Sequence, residues 1–221
     1  MRKDASSQYL TPAEISKLFL RLYPNARGFA KFVLRWRPRI TPIEEVFRRV
    51  PPADRVVEMG CGRGMLSVLL SVSGRVKNIL GIDVSESAIS VAKDAARTLN
   101  TGIDFCHVSS FADWPQDTFD VVLCIDTLHH IPPEEQREFM RRLGGLCAHG
   151  GTLILEDIPP FPWWRRCINT LHDLVISKQL VHYRHPKEIA EWFQSEGFAI
   201  SEEILFARLW YGYYLFVARK E

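Results

Sequence analysis

Residues 56–65, VVEMGCGRGM, have the composition of a loop that binds a ligand through its backbone. An apolar run reaches a single carboxylate, Glu58, and glycine then follows at positions 60, 62 and 64. Glycine lets the chain turn sharply and lets a ligand approach the main chain closely. Because a helix after such a turn directs its first N–H groups at the ligand, the segment predicts a binding loop between a strand and a helix.

The spacing of the acids and glycines indicates which ligand the loop accepts. A dinucleotide fingerprint, GxGxxG, needs glycine where this chain has Met65, and Glu58 would repel a pyrophosphate. Glu58 suits a cationic amino-acid group instead. Asp83 ends the next apolar run, where a carboxylate can accept both hydroxyl groups of a ribose. The two acids therefore favour a nucleoside joined to an amino acid, as in S-adenosylmethionine, over a nicotinamide dinucleotide.

The elements that must position these acids alternate along the chain. Apolar runs typical of strands occupy 55–59, 78–83, 103–108, 120–125 and 152–156, and segments with helical spacing occupy 63–73, 85–99 and 133–147. This alternation predicts a parallel sheet with right-handed crossovers and helices on both faces. Two later runs, 198–208 and 210–219, with a turn around Tyr211-Gly212, predict an antiparallel hairpin at the sheet edge.

The first 50 residues have a different pattern. The segments TPAE (11–14) and TPIE (41–44) each offer a Thr N-cap, a Pro at the first helical position and the Glu of a capping box. We therefore predict an N-terminal helical extension over 1–50 and a main domain over 51–221. An insertion at 157–184 is expected to contain a helix near 167–178. The predicted fold class is α/β: a Rossmann-like, doubly wound, mostly parallel seven-stranded sheet with a C-terminal antiparallel hairpin.

Four segments, taken together and in order, resemble the class I S-adenosylmethionine-dependent methyltransferases. They read VVEMGCGRG, GIDVSESAISVA, FDVVLCIDTLHHIP and GGTLILED, and the resemblance covers about 54–220. The most similar group methylates small molecules, quinones or lipids and has an LHH-type turn after the fourth strand. The resemblance implies an enzyme that uses S-adenosylmethionine and releases S-adenosylhomocysteine.

The resemblance also implies a cofactor site. The residues that it assigns to cofactor binding are Glu58, Gly60, Cys61, Gly62, Gly64, Asp83, Val84, Ser110, Phe111 and Ile125. Asp83 would hold the ribose, Val84 would lie against the adenine, and Ile125 would pass the methionine part. Family members often have Asp-Ala near the adenine amine. This chain has Ser110-Phe111 at that place, so a hydroxyl or a backbone group would have to serve there.

The acceptor side must align an acceptor atom with the methyl group, because transfer from a sulfonium is an in-line displacement. An acceptor that carries a proton can also need a base, and histidine is the usual one near neutral pH. The predicted catalytic residues are His130, His182 and Tyr183. His129 and His130 follow the fourth strand, and the alternative is that they only cap the next turn and helix. His182 and Tyr183 end the insertion, which in related folds covers the acceptor pocket.

Other polar residues at strand and helix ends leave alternatives open. Glu156 and Asp157 end the fifth strand, where they either touch the acceptor or finish the strand in water. His185 precedes Pro186 at a helix start and is predicted to be a turn residue. No cluster of histidines, cysteines or carboxylates has metal-ligand spacing, so no metal site is expected.

The overall composition is that of a globular protein with one domain and an appendage: 221 residues, 47% hydrophobic and 24% charged. The N-terminus lacks the apolar core of a signal peptide, and no apolar run approaches the ~20 residues of a membrane span. Five cysteines without a CxxC pair indicate reduced thiols. These features predict a cytoplasmic protein.

The charge is unevenly distributed along the chain. Residues 1–50 carry 11 Lys/Arg against 4 Asp/Glu, and residues 51–221 carry 17 against 22. The basic end is either an ordinary solvated face or a contact with something anionic. Aromatic and basic residues over 11–40 suit peripheral contact with an anionic inner membrane face. The alternative is that these helices close a soluble pocket or a dimer interface. Nucleic acid is disfavoured, because the recognition turns of DNA-methylating enzymes are missing.

Two functions follow from these observations. The first is methyl transfer to a small, hydrophobic or lipid-like acceptor, and the second is a non-catalytic module that binds S-adenosylmethionine and regulates a partner. The insertion at 157–184 favours the first, since a scaffold needs no acceptor cover. The sequence leaves open the acceptor and whether oxygen, nitrogen or carbon is methylated.

Overall fold

The computed structural model of the protein describes residues 10–164, 170 and 181–221. Its residues group into two units, Met1–Trp114 and Pro115–Glu221. Each unit has its own strands, helices and buried apolar side chains. Within the described ranges, no helix is both long enough and apolar enough to cross a bilayer.

The first unit begins with three helices: α1 (Pro12–Leu22), α2 (Gly28–Ile40) and α3 (Ile43–Arg49). The capping box predicted at Thr11 is confirmed. The backbone N–H of Thr11 donates to Glu14 Oε2 at 2.8 Å, and the Thr11 hydroxyl oxygen accepts from the Glu14 N–H at 3.3 Å. With Pro12 at the first helical position, local sequence alone determines where α1 begins.

The second predicted capping box, at Thr41, is wrong. The N–H of Thr41 donates to the Arg37 carbonyl at 2.8 Å and ends α2, and the cap position of α3 is Pro42, with no side-chain cap. The carbonyl of Thr41 accepts from the Ile43 N–H at 2.9 Å. The two helices therefore follow each other too closely for Thr41 to cap α3 as the pattern predicted.

The strands of the first unit are parallel, as predicted. They are β1 (Ala53–Met59), β2 (Val76–Asp83) and β3 (Gly102–His107), connected by helices α4 (Met65–Ser73) and α5 (Glu86–Ala96). The register places Glu58 beside Gly81 and Asp83 beside His107. Both acids of the sequence motif thus lie at the carboxyl ends of neighbouring strands, where α/β folds bind ligands.

The described part of the second unit contains the remaining strands and, among its helices, the two that flank the strand Cys147–Asp157 in sequence. They are β4 (Phe119–Ile125), α6 (Gln136–Leu146), β5 (Cys147–Asp157), α7 (Pro186–Ser195), β6 (Phe198–Arg208) and β7 (Tyr211–Lys220). Strands β4 and β5 are parallel, whereas β7 is antiparallel to both β5 and β6. The helix predicted near 167–178 lies outside the described residues.

The C-terminal hairpin is present, but its turn is not where the sequence predicted it. The turn lies at Leu209-Trp210, while Tyr211 and Gly212 are already in β7 and pair with Arg208 and Ala207. Leu209 adopts a left-handed φ of 54° without being glycine. Its side chain is 61% exposed, whereas Gly212 is buried within the strand.

The seven strands form one sheet in the order β3-β2-β1-β4-β5-β7-β6. The described pairs among β1 to β5 are parallel, and the two strands at the C-terminus are antiparallel. The predicted fold class is therefore confirmed.

Candidate functional site

The turn between β1 and α4 is built from left-handed glycines. Gly60, Gly62 and Gly64 have φ values of 74°, 55° and 72°, a region that other residues rarely enter. The N–H groups of Gly60 and Cys61 donate to the Ile82 carbonyl at 2.8 and 3.0 Å. Residues 60–64, called the glycine loop below, are thereby fastened to the end of β2.

Two of these glycines have different surroundings. A Cβ added at Gly64 would overlap the ring of Phe105, which also fills the space beside Gly81. A Cβ added at Gly62 would meet no atom within 4 Å. Gly64 is therefore required by packing on β3, whereas the open side of Gly62 leaves room for a ligand against the backbone.

Asp83 lies directly beside this open position. Its Oδ2 accepts from the Gly62 N–H at 2.7 Å and its Oδ1 accepts from the Ser85 N–H at 2.8 Å. Val84, the next residue, is 70% exposed, and its carbonyl lies 3.1 Å from His107 Nε2. A partly buried carboxylate next to an exposed apolar side chain suits a ribose with its base on Val84.

Glu58 is buried beneath the loop and is 4% exposed. Its Oε2 accepts from the Ser67 N–H at 3.0 Å and from the Ser67 hydroxyl. Burial raises the pKa of Glu58 to about 7, although the Ser67 hydrogen bonds and the charge of Arg37 oppose that rise. A cationic group close to Glu58 would favour its ionised form. The predicted contact between Glu58 and a ligand ammonium group stays a prediction.

Three other predicted cofactor residues of the first unit have local structural roles. Ser110 caps a short 3-10 helix (Phe111–Asp113), and its N–H donates to Asp113 Oδ2 at 2.9 Å. Phe111 packs edge-on against Trp114, with 5.4 Å between ring centroids. Cys61 is buried, and burial raises the pKa of its thiol, which agrees with a packing residue rather than a nucleophile.

The N-terminal helices contact the glycine loop. The Tyr23 hydroxyl, at the end of α1, donates to the Arg63 carbonyl at 2.9 Å. The Arg63 guanidinium carbon lies 5.4 Å from the centre of the Phe29 ring, on α2. Since Arg63 stands between Gly62 and Gly64, residues of the predicted extension support the loop directly.

In the second unit, a buried histidine–aspartate pair links the ends of two parallel strands. His129, in the turn after β4, donates from Nδ1 to Asp157 Oδ1 at 2.5 Å and from its backbone N–H to Asp157 Oδ2 at 3.0 Å. His129 is 2% exposed and Asp157 is 1% exposed. The carboxylate fixes the ring with Nδ1 protonated, so Nε2 carries the lone pair in the neutral form. That Nε2 lies 3.9 Å from Asp126 Oδ1.

The predicted catalytic residues surround this pair. The ring of His130 lies 4.1 Å from that of His129 and the ring of Tyr183 lies 5.9 Å from it, measured between centroids. The backbone N–H of His182 donates to the His129 carbonyl at 2.7 Å. We call His129, His130, Tyr183 and Asp157 the histidine cluster. The catalytic roles assigned to His130, His182 and Tyr183 stay predictions.

Three buried polar residues that organise these sites escaped the sequence reasoning. Ser67 holds Glu58, and Gln136, fully buried on α6, donates from Nε2 to the carbonyls of Leu128 and His182 at 3.1 and 2.9 Å. The third is His129, which the sequence raised together with His130 but which the predicted catalytic residues left out. A signal existed for the first two, since each is a polar residue at an apolar position of a helix.

Several residues had alternative interpretations. Glu156 and Asp157 are 0% and 1% exposed, so the alternative that they finish β5 in water is wrong. His185 caps α7, with its Nδ1 accepting from the Lys187 N–H at 3.2 Å, as a turn residue should. Ile125 is buried at the end of β4, and its contact with the cofactor stays a prediction. Among the residues that the structure describes, no group of three or more potential ligands could hold a metal ion.

The fold and the glycine loop define an α/β protein of the nucleoside-binding class. The residues present fit S-adenosylmethionine, since Gly62 leaves its Cβ position open and Asp83 presents a carboxylate beside it. A model of the methyltransferase-domain family matches residues 12–203. The chain therefore belongs to this family, which confirms the family expected from the sequence.

Similar curated proteins are ubiquinone biosynthesis O-methyltransferases. The one from Coxiella burnetii (strain Dugway 5J108-111) is 27% identical over 154 residues, which cover 64% of this chain and 62% of that protein. The mitochondrial one from Schizosaccharomyces pombe is 32% identical over 125 residues, which cover 54% of this chain and 44% of that protein. The chain thus spans less than two thirds of the length of the curated relatives it matches.

Solved structures of methyltransferases share the fold. Magnesium protoporphyrin IX methyltransferase from Synechocystis PCC 6803, with bound S-adenosylhomocysteine, is 22% identical; the match has a TM-score of 0.68 and covers 91% of this chain and 92% of that one. An O-methyltransferase family protein from Burkholderia thailandensis is 20% identical, with a TM-score of 0.69. That match covers 86% of this chain and 57% of the other.

Proposed function

We propose that the protein transfers the methyl group of S-adenosylmethionine to a hydroxyl oxygen of a small, hydrophobic, quinone-type aromatic acceptor. Membership of the methyltransferase-domain family supports the reaction class. The names of the curated relatives support an oxygen acceptor and a ubiquinone-related ring. The single observation from this chain that carries the oxygen acceptor is the buried His129–Asp157 pair.

S-adenosylmethionine supplies an electrophilic methyl group on a sulfonium sulfur. In the proposal, Asp83 accepts from the ribose hydroxyls and the open side of Gly62 lets the ligand lie against the backbone. Val84 offers an apolar surface to the adenine, and Ser110-Phe111 contribute their capped turn to the same end of the ligand. Glu58, whose carboxylate accepts hydrogen bonds from Ser67, attracts the cationic amino-acid end of S-adenosylmethionine. These residues bind and orient the cofactor, which is most of what an in-line displacement requires.

The histidine cluster supplies the base in this proposal. A phenolic hydroxyl is mostly protonated at neutral pH, because its pKa is near ~10, so removing its proton makes the oxygen a better nucleophile. His129 Nε2 accepts that proton as the oxygen–methyl bond forms and the sulfur–methyl bond breaks. The proton later passes from His129 to water. Asp157 holds the ring in the required tautomer and stabilises the imidazolium that forms.

The remaining predicted residues have supporting roles in the proposal. His130 and Tyr183 pack around His129, and the backbone of His182 holds the turn through the His129 carbonyl. The insertion at 157–184 is proposed to cover the acceptor. Peripheral membrane contact through residues 11–40 is proposed separately, because a membrane would hold a hydrophobic acceptor but methyl transfer itself does not require that contact. A dimer remains an alternative use of that surface.

The test uses S-adenosylmethionine labelled on its methyl group, incubated with the protein and an extract of source cells, followed by partition between organic solvent and water. We expect label in the organic phase as an aryl methyl ether, which keeps its label under alkaline hydrolysis, whereas a methyl ester would lose it. Asp83→Ala should weaken S-adenosylhomocysteine binding by about 1–3 kcal/mol, because ribose hydroxyls lose their acceptor. Asp104→Ala, an exposed acid on β3, is the matched control and should bind as the wild type does.

Other results would redirect the proposal. Label found only in water would indicate a polar acceptor and contradict the hydrophobic one. Cofactor binding without transfer to any fraction would favour the non-catalytic module. Unchanged affinity in Asp83→Ala would mean that the ribose is held elsewhere.

A further inference from the structure

Helix α2 presents an exposed row of aromatic rings. Phe29, Phe32 and Trp36 are 50%, 53% and 45% exposed, and neighbouring ring centroids lie 6.4 Å apart along the helix. We call these three side chains the aromatic face. Leu34 and Pro38, on the opposite side at helical spacing, are buried. Because α2 packs through that buried side, and within the described residues only Phe29 of the three rings also contacts the glycine loop, Phe32 and Trp36 form an exposed apolar patch.

The charged residues of helix α2 are all basic. Helix α2 contains Lys31, Arg35, Arg37 and Arg39 and no acidic residue. The guanidinium carbons of Arg35 and Arg39 lie 6.0 and 5.3 Å from the centre of the Trp36 ring. Aromatic rings bordered by guanidinium groups match the headgroup region of an anionic bilayer, where the rings reach the acyl boundary and the cations reach phosphate.

We infer that the aromatic face of α2 inserts into the headgroup region of an anionic lipid bilayer, with the neighbouring basic side chains bound to lipid phosphates. This inference deepens the proposed function, and rests on it for its purpose, because a membrane would be the source of the hydrophobic acceptor. The docking itself needs neither cofactor nor methyl transfer. The two proposals can therefore fail separately.

Phe29 is unsuitable for the test, because its ring also contacts Arg63 of the glycine loop. The test variant is therefore Phe32→Ser with Trp36→Ser, whose rings are about half exposed. Leu205→Ser, on β6, is the matched control, since Leu205 is 55% exposed and lies in the other unit. A second variant, Lys31→Gln with Arg35→Gln, removes charge and keeps the rings.

The experiment is co-sedimentation of the full chain with vesicles of phosphatidylcholine alone or mixed equally with phosphatidylglycerol. We expect wild-type binding that is stronger on the mixed vesicles and falls with added salt. The double aromatic variant should bind at least about tenfold more weakly, because it removes two rings that the bilayer would bury. The charge variant should lose the preference for mixed vesicles, and Leu205→Ser should behave as the wild type does.

Three results would overturn the inference. They are the absence of wild-type binding to mixed vesicles, unchanged binding by the aromatic variant, and lipid-free self-association that the aromatic variant abolishes. The last would make the aromatic face an interface between two copies of the chain. Thermal unfolding and S-adenosylhomocysteine titration of every variant show that folding and the cofactor site are intact. Intact docking without cofactor binding would overturn only the proposed function.

Discussion

The glycine loop and the histidine cluster are polar regions built in opposite ways. The loop is a continuous stretch in which three left-handed glycines and the Asp83 carboxylate shape the backbone. The cluster consists of side chains from β5, the turn after β4 and the segment near 183, joined by a buried carboxylate. In the loop, the absence of a side chain at Gly62 leaves open space beside the backbone. The cluster uses buried side chains to fix one imidazole ring.

The proposed binding region and the proposed reacting region should therefore tolerate substitutions differently. In the loop, a new methyl group matters through space and backbone conformation. In the cluster, the loss of one hydrogen-bonding partner matters, because it leaves a buried polar group without compensation. Substitutions in the two regions should therefore affect different measurements.

The largest effect is expected in the cluster. His129→Asn should lower kcat by about 10²–10⁴-fold, because it removes the proposed general base, while S-adenosylhomocysteine affinity changes little. Asp157→Asn should also lower kcat, since it no longer fixes the tautomer of His129. The measurement is single-turnover methyl transfer over a range of pH, with cofactor affinity determined on the same protein.

His149→Asn is the matched control, because His149 is an exposed histidine of the same unit. It should leave kcat and affinity unchanged. If His129→Asn retains wild-type kcat at neutral pH, the cluster is structural and the comparison fails. Rescue at high pH, where the acceptor ionises without a base, would strengthen the assignment.

The next largest effect separates two glycines of the loop. Gly64→Ala should lower the free energy of unfolding by roughly 2–4 kcal/mol, because the new Cβ overlaps the Phe105 ring at a left-handed φ. Gly62→Ala has the same backbone strain without the overlap, so it should lower the free energy of unfolding by only about 1–2 kcal/mol. Urea unfolding of both variants measures the difference.

Affinity for S-adenosylhomocysteine, measured on the folded fraction of each variant, should fall more in Gly62→Ala than in Gly64→Ala. Gly62→Ala places a methyl group in the open space assigned to the ligand, whereas Gly64→Ala does not. Equal loss of stability in both variants would contradict the packing role of Gly64. Normal affinity in Gly62→Ala would show that the ligand does not lie against that position.

A smaller effect concerns the pH dependence of stability. Glu58 has its pKa raised from 4.5 to about 7 by burial, so the folded state binds more protons than the unfolded state between these values. The contribution of Glu58 to the free energy of unfolding is therefore fully present below about pH 4.5. It decreases as the pH rises through 7, by up to roughly 3 kcal/mol in total. Glu58→Gln should remove this decrease and flatten the profile.

Thermal or urea unfolding between pH 4.5 and pH 8 provides the test. The same variant tests the ligand, since a cationic group beside Glu58 should make wild-type affinity for S-adenosylhomocysteine rise through pH 7. A glutamine cannot ionise, so its affinity should stay level over that range. Parallel stability profiles for the two proteins would argue against a raised pKa.

Local sequence patterns predicted most helices and strands, but they failed at one helix cap and at the hairpin turn. Thr11, Pro12 and Glu14 lie within one turn, so the start of α1 followed from sequence. The same pattern failed at Thr41, because the end of α2 uses that residue first. The hairpin turn failed because Leu209 takes a left-handed φ that sequence assigns to glycine. The first error arose where two elements share a residue, and the second where a residue other than glycine takes a left-handed conformation.

The sequence by itself determined the alternation of strands and helices, the glycine loop and the acid at the end of β2. These depend on residues close together in the chain, where spacing fixes geometry. Only the tertiary structure selected His129 over His130 as the partner of Asp157, placed Ser67 on Glu58 and distinguished Gly62 from Gly64. Those outcomes depend on which atoms the fold brings together from distant strands and helices, and no local spacing encodes that packing.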